Sequence, residues 1–237
     1  MPFQRKTLIA EFERESTIQM KNVAIIDYKI SNLFSVNQAC IHAGLSPVIT
    51  SDKLIIEKAD GIILPGVGSF KEAMNNLSDL DLCDSIRKVI NEDKPFMGIC
   101  LGYQVLFSES EEFGHTDGLN IFSGQVKKFE NRGNKLLKIP QVGWNTINPY
   151  NEEKWNNSLL KGIDPGEYTY FVHSYYVDTQ ETEIALTSTN YEGTNYCSSI
   201  QSKNVFASQY HPEKSGLEGL RIYKNFEKMI TRIQNEK

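Results

Sequence analysis

The stretch KPFMGICLGYQVLF, residues 94–107, runs from a short apolar segment through Gly98-Ile99-Cys100-Leu101-Gly102 into a second apolar segment. It reads as a strand turning sharply into a helix, with glycines on both sides of the apex because side chains there would collide across the turn. This is the form of a nucleophile elbow with Cys in place of Ser. The turn sets the thiol near a helix N-terminus, whose dipole and free N–H groups favour thiolate over thiol. A buried structural cysteine in a tight turn fits the pentapeptide equally well, so the rest of the chain has to decide.

The same alternation recurs upstream. NVAIID (22–27) is a short apolar run, after which Leu33, Val36, Cys40 and Ala43 fall at helical spacing and Gly44 stops the helix. SPVIT (46–50) and GIILPGVGS (61–69) follow the same pattern, the second ending in a Gly-rich turn. Short buried strands alternating with helices indicate βαβ units and a parallel sheet covered on both faces. Beyond about Gly118 the runs GQVKKF, KLLKIP, YTYFVHSYYV, EIALTSTNY and VFASQY are rich in Thr, Tyr, Val and Ile, which predicts a strand-dominated, partly antiparallel half. A closing helix is expected from SGLEGLRIY, with Ser215 and Glu218 at capping-box spacing and Leu217, Leu220, Ile230 and Ile233 as its apolar stripe.

Composition narrows the function. The 237 residues are 40% hydrophobic and 23% charged, an ordinary globular balance, and the net charge of −5 comes without any Lys/Arg block. Nucleic acids and anionic membranes need a cationic face, so neither is an expected partner. No run is long enough to span a bilayer. The four cysteines, at 40, 83, 100 and 197, show neither a CxxC pair nor metal-ligand spacing, which makes a reducing cytosol the simplest compartment and leaves no metal or cofactor implied. Residues 1–20 lack an uninterrupted apolar segment and read as an N-terminal extension without assigned function, ahead of one continuous domain over 21–237.

Two further segments bear on Cys100. In SQYHPEKSG (208–216), His211 and Glu213 lie two apart at the end of an expected strand, where i and i+2 face the same side. Glu213 can then orient one imidazole nitrogen while the other faces Cys100, a nucleophile–base–orienter triad. In LPGVGSF (64–70) a Gly-rich loop follows an apolar strand. Acyl transfer needs backbone N–H donors aimed at a developing oxyanion; Leu101 offers one and this loop can carry the second. A surface His beside a turn proline, and a plain Gly-Pro turn, are the simpler readings of either segment alone.

Taken in order, PGVGSF, GICLGYQ, VGWN, YFVHSYYV and QYHPEKSG resemble the glutaminase-subunit family of imidazole glycerol phosphate synthase, within the class I triad glutamine amidotransferases, over roughly residues 21–233. The resemblance implies a flavodoxin-like three-layer α/β/α fold with a mostly parallel central sheet and antiparallel additions. It implies that Cys100 attacks the side-chain amide of L-glutamine, that His211 shuttles the proton and that Glu213 orients His211. It further implies that Val67 and Leu101 form the oxyanion hole, and that Gln104, Ser174 and Tyr175 hold the substrate. The partner implied is a (βα)8-barrel synthase subunit of histidine biosynthesis, with Gln141, Trp144 and Lys214 at the interface; a core Trp144 and a solvated Lys214 are the alternatives.

Three positions depart from the family pattern. Gln141 stands where many members carry His, Lys29 where they carry Gly, and Tyr210 replaces the commoner Phe. The competing functions are a glutaminase feeding a sugar-nucleotide amidating synthase of surface polysaccharide, a hydrolase that is not a glutaminase, and a catalytically silent interaction module.

Overall fold

The computed structural model describes residues 20–130 and 137–236. In chain order the elements are β1 (Asn22–Ile26), α1 (Leu33–His42), β2 (Ser46–Thr50), α2 (Lys53–Lys58), β3 (Gly61–Gly66), α3 (Phe70–Asp79), α4 (Cys83–Asn91), β4 (Phe96–Cys100) and α5 (Leu101–Gln104). Next come β5 (Phe107–Ser110), β6 (Thr116–Asp117), β7 (Phe122–Lys128), β8 (Gln141–Thr146), β9 (Asn148–Pro149), α6 (Glu152–Asn156), β10 (Tyr168–His173) and β11 (Tyr175–Asp178). β12 (Ala185–Tyr191), β13 (Thr194–Ser202), β14 (Val205–Ser208), a 3-10 turn (Pro212–Lys214) and α7 (Gly216–Asn235) complete the described chain.

Strands β2-β1-β3-β4-β14 form a parallel half, and β13, β11 and β7 extend it antiparallel. Strand alternation explains the layers. Ala24, Ile26, Ile62 and Leu64 point to a core shared with Ile56, Phe70, Leu77 and Ile86 of α2, α3 and α4. Val23, Ile25, Ile63 and Met97 point the other way, onto Val36 and Cys40 of α1 and Ile222, Phe226 and Ile230 of α7. A sheet whose two faces both carry apolar residues has to be covered twice, which gives the expected three layers. In such sheets ligands bind beyond the carboxyl ends of the strands, and here the ends of β3, β4 and β14 carry Gly66, Cys100 and the segment leading to His211.

Several local expectations are corrected. SPVIT is an edge strand with Val48 and Ile49 exposed, because among the described strands β2 has β1 alone beside it. The helix after Cys100 is one turn, ended where Phe107 is drawn into β5. Strand β13, TNYCSSIQS, is not among the strands expected from the sequence; it pairs with β11, β12 and β14 and joins the two halves. No capping box forms at Ser215: its Oγ donates to His211 O (2.6 Å) and accepts from Tyr170 N–H (3.0 Å), while Glu218 pairs with Arg221. The buried stripe of α7 runs through Ile222, Phe226, Met229 and Ile230, and Leu217 is 79% exposed. The reading of residues 1–20 as an extension, and of Lys135 and Leu136 in KLLKIP as strand, falls outside the described residues, Met20 excepted.

Lys29 shows what its departure costs. It holds φ at +77°, with its N–H on the Asp27 carboxylate (3.0 Å). A side chain in this region collides with the backbone at a cost of about 1–2 kcal/mol, partly offset by the entropy that glycine loses on folding. Lys29→Gly is therefore expected to stabilise the chain by about 1 kcal/mol and raise the thermal midpoint by about 2–4 °C. Calorimetry checks this; a lowered midpoint contradicts it.

Candidate active site

Cys100 ends β4 at φ +55°, ψ −107°, a strained apex for a residue bearing a side chain. The flanking glycines make the turn possible. A Cβ at Gly102 would stand 1.8 Å from Leu64 O, and one at Gly98 2.9 Å from Gly102 O. Gly66, paired with Cys100 across β3 and β4, has equally little room, since a Cβ there would meet the Tyr28 hydroxyl at 2.0 Å. The GxCxG spacing thus reflects close backbone approach at the end of two neighbouring strands.

His211 and Glu213 are brought together, but not as neighbours on an extended strand. His211 is extended and Glu213 sits on the following 3-10 turn, which folds the carboxylate back under the ring. His211 Nδ1–H donates to Glu213 Oε1 at 2.7 Å, with both side chains almost fully buried. Among the described residues Nε2 has no hydrogen-bond partner. Burial pushes the imidazolium toward deprotonation; a Cys100 thiolate, and after it Glu213, outweigh this and raise its pKa to about 10. A buried carboxylate fixes both the tautomer of Nδ1 and the charge the ring can carry.

A cavity of about 430 Å³ opens over Cys100. Val67, Leu101, Gln104, Ser174 and Tyr175, singled out in the sequence for the site, line it together with Lys214, expected at a partner interface; Glu112 and His173, which sequence reasoning missed, line it too. Both Nε2 protons of Gln104 are committed, to Tyr175 O and to Gln209 Oε1, each at 2.9 Å, which leaves its Oε1 to meet a ligand. Glu112 accepts from Phe70 N–H at 2.6 Å, and burial raises its pKa above the usual carboxylate range. His173 donates from Nδ1 to Tyr175 O (2.8 Å), and burial lowers its pKa to about 4, so the ring is neutral near pH 7.

Two expected roles need correction. The Val67 N–H does not point into the cavity: it donates to Ile30 O at 3.0 Å, so in this conformation Leu101, whose N–H opens α5 without an intrahelical acceptor, is left as the candidate oxyanion donor. Gln141 is not at the surface. Side chains alternate along β8, so Trp144 faces solvent (56% exposed) while Gln141 faces in (2%) and accepts from the Tyr196 hydroxyl at 3.1 Å. Trp144 packs edge-on against Tyr170, over whose ring Lys214 Nζ lies at 5.8 Å.

Residues 24–229 match the family described as glutamine amidotransferase class-I, and the chain belongs to that family and, within it, to a narrower one defined by its relatives. Those relatives are imidazole glycerol phosphate synthase subunit HisH proteins. The one from Methanosarcina mazei is 47% identical over 212 residues, covering 89% of this chain and 100% of its own length. That of Syntrophotalea carbinolica is 41% identical over 208 residues, covering 86% and 98%. Among solved structures, a putative GMP synthase protein from Thermoplasma acidophilum superposes with a TM-score of 0.67 at 17% identity, covering 92% of this chain and 98% of its own. PurLQS from Thermotoga maritima gives 0.63 at 20%, covering 91% and 100%. These structural likenesses bear on the fold alone. No helix among the described residues is long and apolar enough to cross a membrane.

Proposed function

We propose that this chain is the glutaminase subunit of an imidazole glycerol phosphate synthase, with Cys100, His211 and Glu213 as its triad. The observation that carries the chemistry is a cysteine at a strained elbow, beside a buried His–Glu pair, under a cavity walled by an acceptor amide and a carboxylate. Gln104 Oε1 and Glu112 suit the α-ammonium of glutamine, and Ser174 and Tyr175, on the same cavity wall, are proposed to contact its α-amino-acid end. Cys100 Sγ attacks the side-chain carboxamide carbon, and the oxygen takes up negative charge facing Leu101 N–H. Collapse breaks the C–N bond as His211 gives its proton to the leaving nitrogen, so ammonia departs and a γ-glutamyl thioester remains. Water then adds to the thioester, giving a proton to His211, and glutamate leaves as the thiolate is restored.

The names of the relatives support histidine biosynthesis over a sugar-nucleotide pathway as the destination of the ammonia. A (βα)8-barrel synthase subunit is the proposed recipient, docking over exposed Trp144 with Tyr170 packed beside it and Lys214 at the cavity rim. Residues 21–237 act as one amidotransferase unit. The test is co-purification with the barrel subunit encoded beside this chain, followed by glutamate release and ammonia-dependent product formation; loss of either ends the proposal.

Glu213→Gln is expected to lower turnover by about 10- to 100-fold, less than the roughly 10²–10⁴-fold loss from His211→Ala. The amide oxygen can still accept from Nδ1–H, but it carries no charge to balance the imidazolium. Comparing glutamate release by the two variants checks the order; the reverse ranking contradicts an orienting role for Glu213.

A further inference from the structure

Gln209 is fully buried one residue after β14, and its Nε2 lies 3.6 Å from Cys100 Sγ. Which end of that amide meets the sulfur is decided two residues away. The Tyr175 carbonyl can only accept, so the Gln104 atom 2.9 Å from it is Nε2. The second proton of the same Nε2 points to Gln209 at 2.9 Å, and the atom receiving it has to be Oε1. Gln209 is then left with its N–H toward Cys100. His173 Nδ1–H, 2.8 Å from the same Tyr175 oxygen, holds that carbonyl in place from the other side. A flipped Gln209 amide would set two N–H donors against each other at Gln104 and an oxygen against the sulfur.

We infer that Gln209 is a positioning residue for Cys100: locked by Gln104, its amide presents a fixed N–H to the sulfur and stabilises the thiolate. Its place in catalysis rests on the glutaminase reading, while its effect on the sulfur does not. Hydrogen bonds to charged groups are the strong ones, and this donor favours the ionised sulfur, because a thiol offers a much poorer acceptor. Cys100 Sγ also lies 3.9 Å from the Val172 carbonyl, a long contact for a thiol donor. Gln104 therefore has two parts: its Oε1 faces the cavity and its Nε2 sets the orientation of Gln209.

The test is the rate of Cys100 alkylation by iodoacetamide in the full chain, followed by mass spectrometry of the Cys100 peptide as a function of pH. Gln209→Met keeps the length of the side chain and removes the donor. The rate at neutral pH is expected to fall about tenfold and to rejoin the parent rate at high pH, where forming the thiolate no longer needs the donor. Gln104→Met, which removes no contact of the sulfur, is expected to slow alkylation as well, by freeing Gln209 to turn. The double variant is expected to be no slower than Gln209→Met alone. An unchanged neutral rate in Gln209→Met, a loss that persists at high pH, or additive losses in the double variant would each overturn the inference. If Gln209→Met does not fold, Gln104→Met carries the test with the same outcomes. Iodoacetamide needs no glutamine subsite, so failure of the parent chain to release glutamate would refute the proposed function and leave this result readable.

Discussion

Cys100→Ser is expected to eliminate glutamate release, by at least about 10³-fold, with the thermal midpoint unchanged. The replacement is nearly isosteric and leaves the elbow intact, since the strain at φ +55° belongs to the backbone and the close approaches belong to Gly98 and Gly102. What changes is the nucleophile: a hydroxyl is far harder to ionise than a thiol, and His211 and one N–H donor cannot make up the difference. The other cysteines provide the control. Cys40 is packed between α1 and the sheet, Cys83 begins α4, and Cys197 lies on β13 with its sulfur near Ser199 O at 3.3 Å. None of them lines the cavity over Cys100, so their replacement by Ala or Ser should leave turnover in place. Glutamate release above a tenth of the parent rate in Cys100→Ser would remove Cys100 from the nucleophile's role.

The second large effect is control by the partner. Val67 N–H is occupied by Ile30 O, so the proposed oxyanion hole is left, among the described residues, with the Leu101 N–H where acyl transfer is best served by two donors. One missing donor costs roughly 10²–10³-fold in turnover. The isolated chain is therefore expected to be a poor glutaminase, and the liganded barrel partner to stimulate it by at least that factor. Turning the Gly66–Val67 peptide would swing its N–H from Ile30 into the cavity, and Gly68, at φ +104°, takes up a conformation closed to most residues beside it. Glutamate release measured with and without the liganded partner gives the factor. Full activity in the isolated chain contradicts the gating account, and equal stimulation of Cys100 alkylation would move the control point from the hole to the cysteine.

The parts of the fold and site legible in the sequence are those where one residue type does a backbone's work. Gly98, Gly102 and Gly66 mark close approaches in which a side chain would collide, so the sharp turns at Cys100 and in the PGVG loop show in the sequence, while their chemical role shows only when the segments are read together. The apolar runs of β1, β3 and β4 are legible because both faces of the sheet are covered. Strand β13 is not, since TNYCSSIQS buries Ser198 and Ser199 through hydroxyl bonds to Thr187 and Thr189, a pattern that looks polar along the chain. Gln141 and Trp144 look like one surface in the sequence because their burial depends on strand register. Gln209 and Glu112 carry no local signal: each owes its place to a partner distant in sequence, Cys100 and Gln104 for the first and Phe70 for the second. The Ser215 cap fails for the same reason, the hydroxyl being claimed by His211 and Tyr170.

The most direct test of the central claim, that Cys100 is the nucleophile of a glutamine-specific site, is labelling by a chloroketone analogue of glutamine, with the adduct located by mass spectrometry. The account predicts one adduct, on Cys100, formed in step with the loss of glutamate release and slowed by added glutamine. An adduct on Cys40, Cys83 or Cys197 in its place, or glutamate release that survives complete labelling of Cys100, would contradict it.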